Sequence, residues 1–219
     1  MTTLGPLLMD DLLRAGNAQW RSADILMGHL GTLPISEAHP KHVVTVVRNP
    51  IDHLLSYYNH IRRSPDHWGH ERVIGSSLSF YEWLQHPAFR FLTSNPQSRM
   101  LGIPPELPSG RYEKNNPFAL QAAFEDKERS IDESELFSCV VDTLANISVV
   151  GTTEGMESFV ENLCKLFSVR QFLPEKLNSS KPNEQVEIGE KELSLIRARA
   201  AVDFEVWHFV NQSLARIRR

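Results

Sequence analysis

The sequence is short of the features that mark special classes. It has two cysteines in 219 residues, Cys139 and Cys164, and their separation matches no metal-ligand spacing. Buried free thiols are therefore expected over a disulfide, which suits a reducing, cytoplasmic setting. No run approaches the ~18 uninterrupted apolar residues of a membrane span. The opening MTTLGPLLMDDLL is apolar but carries Asp10 and Asp11 and has neither a basic leader nor a small-residue cleavage site, so neither secretion nor a membrane span is expected. Positive charge is not in excess: 23 Lys and Arg face 27 Asp and Glu, for a formal net charge of −4. That balance excludes a nucleic-acid-coating surface and makes any anion site a local one. There is no repeat, no low-complexity stretch, no cluster of metal ligands and no G-x-x-x-x-G-K-[ST] loop. What remains, with 41% hydrophobic and 23% charged residues, is the composition of one globular domain spanning 1–219. Such a chain can bury well over half of its unfolded surface without staples.

Along the chain, Leu4, Leu7, Leu8, Asp11 and Leu12 fall at roughly helical spacing and predict an amphipathic helix at the start. Ile25–Met27 reads as a short strand ending at Gly28 and His29. Val43–Val47 is a β-branched run with the continuous apolarity of a strand buried on both faces. Beyond Arg48 and Asn49, residues Ile51, Leu54, Leu55, Tyr58 and Ile61 recur on one helical face, with Asn49 suited to the N-cap and Pro50 to the first helical position. A buried strand, a two-residue turn and a capped helix make one unit of an open parallel sheet, in which ligands bind at the carboxyl ends of strands. Arg48 falls at such an end.

Residues 62–76 are polar and rich in His, Pro and Gly, and read as a loop; Phe80–Leu84 suggest a short helix; residues 102–117 are proline-rich and aperiodic. The two irregular stretches are candidates to face a substrate, or simply solvated loops. Charges between Glu125 and Glu135 suggest an exposed helix face. Ile147–Val150 predicts a strand closed by Gly151, followed by a helical stripe of Met156, Phe159, Val160, Leu163, Leu166 and Phe167. Leu193 through Ile217 predicts one long C-terminal helix. The alternation of strands and helices points to an α/β fold with a mainly parallel sheet.

Arg48 carries the first chemical argument. A guanidinium at the end of a buried strand needs an anionic partner or solvent. Ser56, eight residues later, lies two turns into the helix and off its apolar stripe. The two could converge on one phosphate, with a structural ion pair for Arg48 as the alternative.

The strand followed by Arg48-Asn49-Pro50 and, eight residues after the arginine, by Ser56-Tyr57-Tyr58 resembles the 3'-phosphate-binding motif of sulfotransferases that use 3'-phosphoadenosine 5'-phosphosulfate (PAPS). Asn49 stands where a carboxylate is usual. Upstream, DILMGHLGTLP is similar to the His-Gly-His strand end of carbohydrate 2-O-sulfotransferases and their bacterial relatives, with Met27 in place of the first histidine and His29 matching the second. SPDHWGHE, SLSFYEWL, NPQSRMLG (Asn95, Gln97, Arg99), VVGTTEGMESFVENLCKLF, LNSS and DFEVW resemble further segments of the family in order, so the likeness covers most of the chain.

The resemblance implies a three-layer α/β fold like that of P-loop nucleoside triphosphate hydrolases, and transfer of a sulfonate from PAPS, as co-substrate and without a metal, to an acceptor hydroxyl, carbohydrate being the family-level acceptor. It implies 3'-phosphate binding by Arg48 and Ser56 and a base role for His29. It also implies a strand and a Lys-Thr-Gly-Gly-Thr-Thr loop before the first helix. Met1–Leu8 looks like the end of that loop running into its helix, with Thr2 and Thr3 as its hydroxyl pair. The lysine and first strand are then missing, by truncation or by decay, and the sheet should lack its first strand. A non-catalytic PAPS-binding remnant and a kinase-like phosphate-loop protein are the alternatives; the second lacks both a phosphate-loop motif and a Walker-B aspartate at a strand end.

Overall fold

Two pairs of parallel strands organise the computed structural model, which describes residues 3–8, 25–29, 41–103, 131–171 and 186–217. The chain divides into two compact units. One comprises Met1–Val43 and Gln97–Ile147, the other Val44–Pro96 and Ser148–Arg219.

In the first unit, β1 (Thr3–Leu8) pairs in parallel with β2 (Ile25–His29), Thr3 opposite Ile25 and Leu8 opposite His29. The chain start is thus a strand rather than the expected helix, and Thr3 does not belong to a loop leading into one. Gly5 and Pro6 explain the difference: glycine is costly inside a helix, and proline lacks the N–H and is tolerated in a sheet at irregular positions. The register shifts between Leu4 and Leu7, where that proline sits. A short apolar run does not by itself distinguish strand from helix. Residues 1–2 and 9–24, and with them Thr2, lie outside the described residues, as do 104–130 and 172–185. The same unit contains α6 (Glu133–Ala145), capped by Asp132, whose carboxylate accepts from Glu135 N–H and Ser134 Oγ at 2.8 Å each. Gly102 lets α6 approach closely, since a Cβ there would meet Val140 Cγ2 at 2.9 Å.

The second unit is built on β3 (Val44–Val47) and β4 (Val149–Thr152), parallel and in register from Val44↔Val149 to Val47↔Thr152. Among the described residues each is the other's only strand partner. Burial of β3 increases along its length, from Val44, 40% exposed, to Val47, 1% exposed; the run is not uniformly covered on both faces as its apolarity suggests. β4 is two residues later than expected and contains Gly151 instead of ending before it. The reason is α7 (Met156–Phe167): a Cβ on Gly151 would lie 2.5 Å from Phe159 Cδ2, so glycine is what lets helix and strand pack. Thr152, next along the strand, bonds through Oγ1 to Asn211 Oδ1 of α9 (Ala201–Ile217) at 3.3 Å. Successive strand residues face opposite sides, so α7 and α9 cover the two faces of β4. The fold class is α/β, with helices predominating.

After β3, α1 (Pro50–Arg63) starts as expected: Asn49 Oδ1 accepts from Ile51 N–H at 3.0 Å and Pro50 occupies the first helical position. Residues 62–76 are not all loop, because α2 (His70–Gly75) forms a short helix anchored by buried Val73. Then come α3 (Phe80–Gln85), opened by a capping box between Ser79 and Glu82, and α4 (Arg90–Thr93), α5 (Pro96–Gly102) beginning at the edge of the unit. Leu54, Tyr58 and Ile61 of α1 pack with Phe80, Trp83 and Leu84 of α3, Phe89, and Ile196 of α8 (Glu190–Arg199). Tyr58 anchors this aromatic core, its ring centroid 5.3 Å from Phe80 and 5.5 Å from Trp83 and its hydroxyl donating to Leu78 O at 2.6 Å.

The expected single C-terminal helix is divided at Ala200 into α8 and α9. The agent is remote in sequence. Asn95, at φ 46°, accepts through Oδ1 from the N–H groups of Val202 (3.0 Å) and Asp203 (3.3 Å), while its own N–H donates to Arg199 O at 3.0 Å. One residue thus satisfies both the end of α8 and the start of α9. Both cysteines are free thiols, Cys139 half-buried and Cys164 buried, and no helix among the described residues is long and apolar enough to cross a membrane.

Asn95→Ala should lower unfolding stability by about 1–3 kcal/mol through loss of the cap and the burden of a positive φ, whereas Asn95→Asp, which keeps an acceptor, should lose less than half of that in urea denaturation. Gly151→Ala should cost about 1–3 kcal/mol by overpacking against Phe159; unchanged midpoints in either Ala variant would contradict the packing described.

Candidate functional site

The carboxyl ends of β3 and β4 lie side by side, and the ladder continues beyond them: Thr153 N–H donates to Val47 O at 3.1 Å. Two strand-to-helix turns therefore emerge together, Arg48-Asn49 into α1 and Thr153-Glu154-Gly155 into α7. This is the end of a parallel sheet where ligands are ordinarily bound. Arg48, half-buried, is the first residue past β3. Ser56, also half-buried, lies seven residues beyond the cap residue Asn49. Seven residues return to the same face of a helix, so Asn49, His53, Ser56 and His60 form a polar stripe turned away from Leu54 and Ile61. Ser56 is about two turns, roughly 10 Å, up the axis from Asn49.

Glu154 was not among the residues singled out by sequence reasoning, and it joins the two turns. Its Oε1 accepts from Asn49 N–H at 3.4 Å, a long bond, and from Thr153 Oγ1 at 3.1 Å; its Oε2 accepts from Trp207 Nε1 of α9 at 3.2 Å. Partial burial raises the Glu154 pKa, and the hydrogen bonds from its own N–H, Trp207, Thr153 and Asn49 outweigh this, leaving the carboxyl below its ordinary value. The signal available in the sequence was the glutamate of the matched VVGTTEGMESFVENLCKLF segment, which shows no partner without the fold.

The segment after α1 is organised by His67. Gly69 N–H donates to His67 Nδ1 at 3.0 Å, which leaves the imidazole proton on Nε2, and that nitrogen donates to Tyr57 Oη at 3.3 Å. His60 and Trp68 pack around the same ring, with centroids 5.8 Å and 5.5 Å away. Burial, and then the charges of His60 and His70, lower the His67 pKa to about 4. Burial pushes Tyr57 up to about 12. Both are neutral near pH 7, and an imidazole with so low a pKa is a weak general base.

Of the other predicted site residues, His29 ends β2, at the carboxyl end of its strand as expected. Thr3 begins β1 opposite Ile25. The register separates Thr3 and His29 by the length of the strand pair, roughly 13 Å, so the structure does not bring them together. Asn95 and Asp203, from two separate matched segments, do meet at the start of α9. The LNSS segment lies outside the described residues. Among the described residues no group of three or more His, Cys, Asp or Glu is placed to hold a metal. No family model matches the chain, and no curated protein or solved structure does.

The depressed His67 pKa has a defined consequence for stability. Between about 6.5 and about 4 the unfolded chain binds a proton at this residue that the folded chain does not, so His67 contributes stability above that window and loses it as pH falls through it. His67→Gln should flatten the fall in denaturation free energy between pH 7 and pH 4.5; an identical slope in the variant would show that this imidazole titrates as it does in the unfolded chain.

Proposed function

We propose that the chain binds PAPS and transfers its sulfonate to an acceptor hydroxyl, with a carbohydrate as the acceptor class and the cytoplasm as its place of work. The observation that carries the proposal is the β3–α1 unit. Arg48 directly follows its strand, its helix is capped by Asn49 and started by Pro50, and Ser56 stands on the same helix face as that turn. These positions are those of the 3'-phosphate motif in the resemblance, with Asn49 in place of its usual carboxylate. In this reading β3 and β4 belong to a three-layer architecture like that of P-loop nucleoside triphosphate hydrolases.

The donor set suits a phosphate monoester. A guanidinium supplies charge-assisted, forked hydrogen bonds, and the Ser56 hydroxyl adds a neutral donor. Arg48 has the length to span toward a group held by the short serine side chain. PAPS supplies an activated sulfonate on a phosphate leaving group. His29 takes the proton of the acceptor hydroxyl, a contribution of typically 10²–10⁴-fold. Thr3 carries no step here, since it lies at the amino end of β1; Thr2 lies outside the described residues.

Titration calorimetry with adenosine 3',5'-bisphosphate should show binding that Arg48→Ala weakens by roughly 1.5–3 kcal/mol and that Arg48→Lys does not fully restore, because the planar fork is lost. Equal affinity in the Ala variant would remove the site. Sulfonate transfer from radiolabelled PAPS should fall about 10²-fold or more in His29→Ala with nucleotide affinity nearly unchanged. Nucleotide binding by the unaltered chain without any transfer would instead identify a binding protein.

A further inference from the structure

The N-cap amide of a helix is usually answered, when it is answered, by a Glu or Gln at the third helical position of the same helix, the second half of a capping box. In α1 that position is Asp52, which is exposed. The Asn49 amide goes instead to Glu154 Oε1, 105 residues away in sequence, on the neighbouring strand-to-helix turn. The same carboxylate holds its own turn through Thr153 Oγ1 and reaches α9 through Trp207 Nε1. With Thr153 N–H on Val47 O, Arg48 lies between two anchored points: its preceding carbonyl is held by the ladder and its following amide by Glu154.

We propose that Glu154 is a positioning residue for the anion site, holding the Arg48-Asn49 turn in its binding geometry. This rests on the reading of Arg48 as the 3'-phosphate ligand. The sign of the effect separates it from electrostatics. A carboxylate near a phosphate site repels the ligand, so if its charge were all that mattered, removing it would tighten binding. If its hydrogen bonds define the turn, removing it weakens binding through Arg48.

The test is a double-mutant cycle on the full chain, read as the dissociation constant of adenosine 3',5'-bisphosphate for the unaltered protein, Glu154→Ala, Arg48→Ala and the double variant. Glu154→Ala should weaken binding about tenfold in the presence of Arg48 and less than twofold in its absence. Glu154→Gln keeps one acceptor oxygen where the carboxylate serves Asn49 and Thr153 on one oxygen and Trp207 on the other, and should fall between; it is nearly isosteric and carries the same cycle should the Ala variant not fold. Trp207 emission should shift in Glu154→Ala, reporting loss of the indole contact. Unchanged or tighter binding in Glu154→Ala, or an equal loss with and without Arg48, would overturn the inference and leave the Arg48 site standing. An Arg48→Ala variant that binds as well as the unaltered chain would instead overturn the reading of the site itself.

Discussion

The hydrogen bond from Thr153 N–H to Val47 O is the last rung of the β3–β4 ladder, and the candidate site depends on it. Parallel pairing in register brings Val47 opposite Thr152, so both chains leave the sheet at the same level and in the same direction. Each then turns into a helix within a few residues. A slip of one residue would turn every side chain of the moved strand to the other face. It would set Gly151 away from Phe159 and place a branched side chain in that contact. The tight fit of glycine against that ring is thus also a device for register, and register determines which residues stand at the sheet's end.

Helix packing then orients what the strands position. The apolar stripe of α1 is held by Phe80, Trp83 and Ile196, and this determines the rotation of the helix about its axis. The polar stripe through Asn49, His53, Ser56 and His60 follows from that rotation. The aromatic cluster therefore has two effects, supplying much of the buried area and aiming Ser56. Asn95 holds the other side of the same core by joining the end of α8 to the start of α9, and α9 in turn presents Asn211 to Thr152 and Trp207 to Glu154. The chain of contacts runs from a residue in the middle of the sequence to the turn beside Arg48.

The sequence by itself determined the β3–α1 unit: the β-branched run, the Asn49 cap, Pro50 and the period of the apolar stripe are instructions read within a few residues, and local chemistry decides them. It also determined that Ser56 lies off the apolar stripe and that His29 falls at a strand end. Gly5 and Pro6 weigh against a helix at Thr3–Leu8, but only the tertiary structure decided that it is a strand, because its backbone groups find partners on β2. The same holds for the break at Ala200, made by a side chain more than a hundred residues away, and for the burial gradient of β3, which depends on what covers it. Glu154 belongs to this second class. A glutamate in a turn has no visible partner in sequence, and its three donors from other residues, one adjacent and two remote, come together only when two strands and a helix are packed in register.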